Sequence, residues 1–222
     1  MAEHGSNQSP GDAPKALPTP ETLAAAAALD IFDADGKKVK FGSLFEDQST
    51  KSLIVVFIRH FFCGACHAYV ESISSTSQTA FEEPNTKVAV IGCGDYAAIK
   101  PYRETSLAQS PSSSSFTFYT DPTRTLFHTL GMTYCNLDGT PTGQPTPAYL
   151  GPLGFMRRLG QALWRGPVKN PSMIGKHGNE KQNGGEFVFG PGMECRFASR
   201  MRHTEDHVPV EELLQAAGVH VH

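Results

Sequence analysis

The sequence predicts an α/β fold, a central mixed sheet flanked by helices, and three observations predict it. Leu53-Ile54-Val55-Val56-Phe57-Ile58 is a continuous apolar, β-branched run, the pattern of a strand covered on both faces. A second buried run, Lys87 to Ile91, follows a stretch with Tyr69, Val70 and Ile73 at helical spacing, so strand, helix and strand make a right-handed crossover unit. Near the end, Glu186 to Phe189 and Glu194 to Ala198 flank Gly190-Pro191-Gly192 as a hairpin, which makes the sheet mixed.

The other elements follow in chain order. Residues 1–20 are rich in Pro, Gly, Ser and Asn and read as a disordered tail, because they bury too little apolar surface to offset the entropy of ordering. One folded domain, 21–222, follows, with an insertion at about 131–184. Alanines from Glu21 to Leu29 suit a short helix, and DIFDADGKKVKFGSLF reads as strand, Asp35-Gly36 turn and strand. Asp95 caps a helix to about Gln109, Phe116 to Tyr119 form a strand, and Asp121-Pro122 opens a short helix to about Leu130. The insertion is Gly/Pro-rich, although residues 153–165 carry an amphipathic pattern with Phe155, Leu159, Leu163 and Trp164 on one side. Val210 to Ala217 closes the chain as an amphipathic helix after Pro209. Parallel strands first, then a hairpin and a helix, is the order of a thioredoxin-like fold.

Composition narrows the function. The 222 residues suit one domain of the usual ~100–200 residues plus a tail and an insertion. A net charge of -3 supplies no basic field, so nucleic acid is not an expected partner. No window approaches the ~20 apolar residues of a membrane span and the N-terminus lacks a signal-peptide pattern, so a soluble, cytoplasmic protein is expected. Five cysteines are an odd number for a disulfide framework and suit reduced thiols with one special pair.

That pair is Cys63 and Cys66, in Phe62-Cys63-Gly64-Ala65-Cys66-His67, where a buried strand ends and a helix begins. A thiol at a helix start faces unpaired N–H groups and the positive end of the helix dipole, which favour thiolate and lower the pKa from about 8.5. The two-residue spacing lets Cys66, one turn later, attack a mixed disulfide or a sulfenic acid on Cys63. Arg59 and His60, just upstream, are candidates for a cation that stabilises the thiolate, or else plain loop residues. Two inert buried thiols, or half of a zinc site, are the competing readings of the pair, but no second Cys or His pair has ligand spacing. No metal and no cofactor are therefore expected. Burial accounts for Cys93 and Cys195, whereas Cys135, in the Gly/Pro-rich region, is a candidate extra resolving thiol. His177, His203, His207, His220 and His222 read as exposed or hydrogen-bonding residues, and Arg200-Met201-Arg202-His203 as a basic patch or a solvated strand edge.

The blocks FGSLF, VVFIRHFFCGAC, VIGCGDY, YTDPTRTLFHTLGM, LWR, GGEFVFGPG and RHTEDH resemble the peroxiredoxin-like branch of the AhpC/TSA antioxidant enzyme family, over about residues 30–220. The resemblance implies a thioredoxin fold and a thiol-dependent reductase of a peroxide or disulfide, with a thioredoxin or glutathione system as reductant. The chain departs from the pattern. Aligning the usual Pro-x-x-x-Thr/Ser-x-x-Cys places Arg59 at the Pro, Cys63 at the Thr and Cys66 at the attacking Cys. Thioredoxin proper has Trp, Pro and cis-Pro where this chain has Phe62, Ala65 and Gly185. Helix-terminus electrostatics select Cys63 as nucleophile and the alignment selects Cys66; the preferred reading is Cys63 attacking and Cys66 resolving. Related proteins reduce lipid endoperoxides, and Phe155 and Trp164 of the insertion suit an apolar pocket or simply a core. A redox-sensing or interaction module, or a recruited biosynthetic enzyme using a pocket without thiol turnover, are the alternatives. Edge strands and the insertion leave room for a homodimer.

Overall fold

The structure, a computed structural model, describes residues 14–151, 171 and 175–220. Seven strands form one sheet in the order β2-β1-β5-β4-β3-β6-β7. They are β1 (Asp30–Phe32), β2 (Lys38–Lys40), β3 (Ser52–Phe57), β4 (Thr86–Gly92), β5 (Phe116–Thr120), β6 (Gly185–Phe189) and β7 (Cys195–Arg200). β3, β4 and β5 run parallel at the centre, and the outer strands pair antiparallel, so the sheet is mixed as expected. The six described α-helices are α1 (Pro20–Ala27), α2 (Gly64–Ser74), α3 (Gln78–Glu82), α4 (Ile99–Ser106), α5 (Thr125–Thr129) and α6 (Val210–Ala216).

Strand alternation divides the core between the two faces. Ile54 and Val56 of β3, Val88 and Val90 of β4 and Val188 of β6 pack with Tyr69, Val70 and Ile73 of α2 and Leu213 and Leu214 of α6. On the other face, Leu53, Val55 and Phe57 pack with Ile31, Phe41, Leu126, Phe127, Phe187 and Phe189. Every residue of β3 is buried, which is why its sequence is apolar without alternation.

Several expectations are corrected. Strand β2 stops at Lys40, and Phe41–Phe45 is a 3₁₀ turn that inserts the Phe41 ring between Phe57 and Phe189. Asp95 does cap its segment, accepting from Ala97 N–H at 2.8 Å, but a 3₁₀ turn precedes α4 and the helix ends at Ser106. Helix α5 starts later than Pro122, because the Asp121 carboxylate caps Leu126 N–H at 2.8 Å. Helix α3, capped by Ser77, was not expected. Of the expected tail, residues 14–19 are held: Pro14 O accepts from Arg200 N–H at 2.9 Å, and Thr19 caps α1. Arg200 forms neither a patch nor a solvated edge. Its side chain is buried, donates to Leu130 O and Ala16 O, and lies 5.3 Å from the Phe187 ring centroid. The amphipathic segment 153–165 lies outside the described residues.

Among the described residues no helix is long and apolar enough to cross a membrane.

Candidate active site

Strand β3 ends at Phe57, and the chain turns through Arg59, His60, Phe61 and Phe62 before α2 begins at Gly64. Cys63 is the N-cap of α2, the position usually held by Ser, Thr, Asp or Asn. Its Sγ does what a capping oxygen does, accepting from Cys66 N–H at 3.3 Å. The Cys66 S–H also donates to Cys63 Sγ at 2.7 Å, and Arg59 Nη1 lies 3.6 Å from the same sulfur. Three donors thus converge on Cys63. Cys66 receives one, Arg59 N–H at 3.4 Å. Both thiols are free and buried, at 4% and 0% exposure, so their surroundings rather than their access distinguish them.

The electrostatics follow from that asymmetry. Burial opposes ionisation of Cys63, but the Cys66 thiol, the Arg59 guanidinium, the Cys66 N–H and His207 outweigh it and hold Cys63 at about 6. Cys66 is driven well above the ordinary thiol value by burial, by its hydrogen bond to Cys63 and by the charge on Cys63, with Arg59 opposing. The pair therefore carries its first negative charge on Cys63.

Arg59 and His60 separate in role. The Arg59 fork is fixed on three sides, by Cys63, by Asn183 Oδ1 at 3.2 Å and by the Glu180 carbonyl. Of the two readings open for His60, cation or loop residue, its surroundings favour the second. Its Nδ1 accepts Phe62 N–H at 3.3 Å, and burial together with the Arg59 and His177 charges lowers it to about 3, so the ring is neutral. Replacing Arg59 with Lys keeps the charge and loses the fork, whereas Arg59→Ala loses both. Alkylation of Cys63 by iodoacetamide at pH 6 is expected to slow several-fold in Arg59→Ala and less in Arg59→Lys, with the pH midpoint of the rate moved upward. Unchanged pH midpoints in both variants would exclude Arg59 from the thiolate site.

The last part of the expected insertion, residues 175–184, forms a strap against the turn that leads from β3 into the dithiol. His177 O accepts Phe61 N–H at 2.9 Å, and the His177 ring stacks on Phe62 at 4.8 Å. Lys176 O accepts Asp95 N–H at 2.7 Å, and Asn179 N–H donates to Cys93 Sγ at 3.3 Å. Cys93 in turn donates to Arg59 O at 2.9 Å, and burial lifts its thiol to about 11. A cavity of about 470 Å³ opens beside the strap beyond the ends of β4 and β5, lined by Cys93, Asp95, Arg124, Lys176 and Asn179 among others. Cys135 is exposed and donates to Gln182 Oε1 at 3.7 Å. Cys195, expected buried, is only partly so.

Sequence reasoning did not find Asn183, which accepts from Arg59, or the Glu180 and His177 carbonyls that hold Arg59 and Phe61; a backbone carbonyl carries no sequence signal.

A mixed sheet with parallel strands at its centre, flanked by helices and carrying a Cys-x-x-Cys where a strand gives way to a helix, is the architecture of the thioredoxin-like fold. The chain belongs to the AhpC/TSA antioxidant enzyme family, whose sequence model matches residues 72–203. That match begins within α2, just after the dithiol. The chain is 34% identical to human peroxiredoxin-like 2C over 208 residues, 93% of this chain and 85% of that protein. It is 31% identical to peroxiredoxin-like 2C of Takifugu rubripes, covering 85% and 78% respectively. Among solved structures it is similar to Xanthomonas campestris peroxiredoxin Q, with a TM-score of 0.54 at 13% identity, covering 94% of this chain and 99% of that one. It is also similar to peroxiredoxin 6 of Arenicola marina, with a TM-score of 0.55 at 13% identity, covering 86% and 69%.

Proposed function

We propose that the protein is a thiol-dependent oxidoreductase that reduces a peroxide or a disulfide through Cys63 and Cys66. The observation that carries this reading is the Cys66 S–H donated to a Cys63 sulfur that Arg59 also faces. With a peroxide, the Cys63 thiolate attacks one oxygen, the O–O bond breaks, and the alkoxide leaves and takes up a proton as an alcohol. Cys63 is then a sulfenic acid. The Cys66 sulfur attacks it, the S–S bond forms, and the hydroxyl leaves with the Cys66 proton as water. With a disulfide substrate, the same attack gives a mixed disulfide, which Cys66 resolves by expelling the second thiol. The sulfurs stand 2.7 Å apart, so closing to the roughly 2.05 Å of a bond requires little movement of α2. A thioredoxin or glutathione system is the proposed reductant that restores the dithiol.

Burial of both thiols favours a second reading, a redox sensor in which the Cys63–Cys66 disulfide forms and shifts the adjoining Arg59–Phe62 turn without turnover.

The test is peptide mass spectrometry after full reduction and one equivalent of hydrogen peroxide, with free thiols blocked. Loss of two protons mapped to Cys63–Cys66 is expected, with Cys93 left reduced. Cysteines that stay reduced would end both thiol readings. Turnover with peroxide and a thiol reductant separates enzyme from sensor. Because Cys63 is held at about 6, the rate is expected to rise with pH through that value and level off above it.

A further inference from the structure

The cavity of about 470 Å³ beside the strap has the size of a small-molecule site, and the thiol chemistry proposed above makes no use of it. It lies beyond the carboxyl ends of β4 and β5, the end of the sheet at which ligands of open α/β folds settle. The strap is closely fitted there: a Cβ on Gly94 would stand 2.5 Å from Lys176 O, and one on Gly178 would stand 2.8 Å from Cys93 Sγ. Two of the lining groups are already committed. Cys93 donates to Arg59 O at 2.9 Å and accepts Asn179 N–H at 3.3 Å, and the Asp95 carboxylate caps Ala97 N–H at 2.8 Å. Two cations remain, Arg124 and Lys176, and among the described residues neither has a carboxylate at ion-pair distance. Phe32 and the exposed Tyr96 add two rings to the lining.

Arg124 is held there against a backbone preference. Its φ of 60° and ψ of 17° are left-handed, and among the described residues only Asn85 and Met193 also combine a side chain with positive φ. Glycine would adopt this conformation without strain, and strain of this kind gathers at functional sites. Among the described residues the guanidinium makes one hydrogen bond, a long one, from Nη1 to Gln182 Oε1 at 3.4 Å. Gln182 does not depend on it, being fully buried and anchored through Nε2 on Met132 O at 2.9 Å and Asn183 O at 2.8 Å. Gln182 therefore orients Arg124 and leaves most of its donors for another acceptor.

We propose that this cavity is a binding site for a small monocarboxylate carried on a flat apolar body, with Arg124 and Lys176 taking the carboxylate and Phe32 and Tyr96 the body. The charges select the ligand: two cations against the Asp95 carboxylate leave a single net positive charge, which one carboxylate neutralises. A planar guanidinium fork matches a carboxylate with two parallel N–H···O bonds, and rings receive a flat apolar body. Lys176 is exposed, so it acts through its charge and is screened by salt. Binding here involves no thiol step, so its failure and the failure of the proposed reaction are distinguishable.

The experiment is a titration of the reduced full chain with phenylacetate, read by NMR of the backbone amides and the arginine Nε–H groups. Phenylethanol, which keeps the ring and lacks the charge, and inorganic phosphate, which keeps a charge and lacks the ring, are titrated beside it. Saturable shifts at Asp95, Lys176, Asn179 and Arg124 Nε are expected with phenylacetate at roughly millimolar concentration or below, and binding about tenfold weaker for either control. Arg124→Gln is expected to weaken phenylacetate by about tenfold, and Lys176→Gln by less and only at low salt. No saturation by about 10 mM phenylacetate overturns the proposal. So does wild-type affinity in Arg124→Gln, and so does phosphate or phenylethanol binding as tightly as phenylacetate. Arg124→Gly separates holding a ligand from supporting the fold. It is expected to lose phenylacetate binding with a Tm within about 3 °C of the wild type or above it, because relief of strain offsets the looser unfolded chain. A larger fall in Tm would make Arg124 a structural residue and overturn the assignment.

Discussion

Cys63→Ser is expected to remove turnover with any peroxide or disulfide, a loss of several orders of magnitude, because no second sulfur is prepared to take its place. A hydroxyl at the N-cap still accepts Cys66 N–H, so the helix start is preserved and the loss is chemical rather than structural. Cys66 is a poor substitute, because its burial, the largest cause of its raised value, remains when the Cys63 sulfur is gone. Cys93 cannot either, since burial lifts it to about 11 and its S–H is committed to Arg59 O. Cys66→Ser is expected to behave differently, allowing one attack and then stalling with a mixed disulfide or sulfenic acid on Cys63. Intact-mass measurement with excess disulfide substrate distinguishes the two variants. An adduct on the Cys63→Ser protein, carried by Cys66, would reverse the assignment and return the nucleophile to the position the peroxiredoxin alignment selects.

Gly184→Ala is expected to be the most damaging small change to the fold. A Cβ at Gly184 would lie 1.8 Å from the Phe57 carbonyl oxygen, a backbone atom of the central strand that cannot rotate away. The neighbouring Gly185 pairs with Phe57, and its own Cβ would meet Ser199 O at 2.4 Å. Either β3 shifts, disturbing Arg59 and Cys63 just beyond it, or β6 detaches from Phe57. A loss of at least about 2 kcal/mol is expected, which for a chain of this size is a fall in Tm of at least roughly 4–8 °C. Thermal unfolding of the reduced protein checks this. A Tm equal to that of the wild type would mean that β6 approaches β3 less closely than described. Gly185 is also the residue aligned with the cis-Pro of thioredoxin. Among the described residues no peptide is cis, and the close approach at this crossing is made by two glycines.

The central strands and the dithiol were legible because each is a local pattern. A run such as Leu53 to Ile58 needs no distant partner to be read as a buried strand, and a Cys-x-x-Cys directly after it marks the helix start. What stayed hidden depends on pairs distant in sequence or on backbone atoms. Arg59 and Asn183 meet from distant parts of the sequence, and neither position reveals the other. The carbonyls of His177 and Glu180 that hold the strap down carry no signature, since any residue supplies one. For His60 the sequence leaves a cation and a plain loop residue equally open, and burial beside Arg59, a tertiary effect, is what favours the neutral ring. Phe41 continued a strand pattern, and only its packing between Phe57 and Phe189 accounts for the 3₁₀ turn.

Hydrogen bonding between Pro14 and Arg200 bears on how copies of the chain can meet. An open sheet is a template, because its outermost strands present donors and acceptors to any extended segment that drifts alongside. Here β7 is engaged at Arg200 by the protein's own leading residues, bends at a bulge opposite Val188 and Phe189, and exposes Arg196. The opposite margin, β2, is only three residues long and points Lys38 and Lys40 outward. Both borders thus discourage strand-to-strand growth, so a homodimer would have to form through helix or loop faces rather than by extending the sheet.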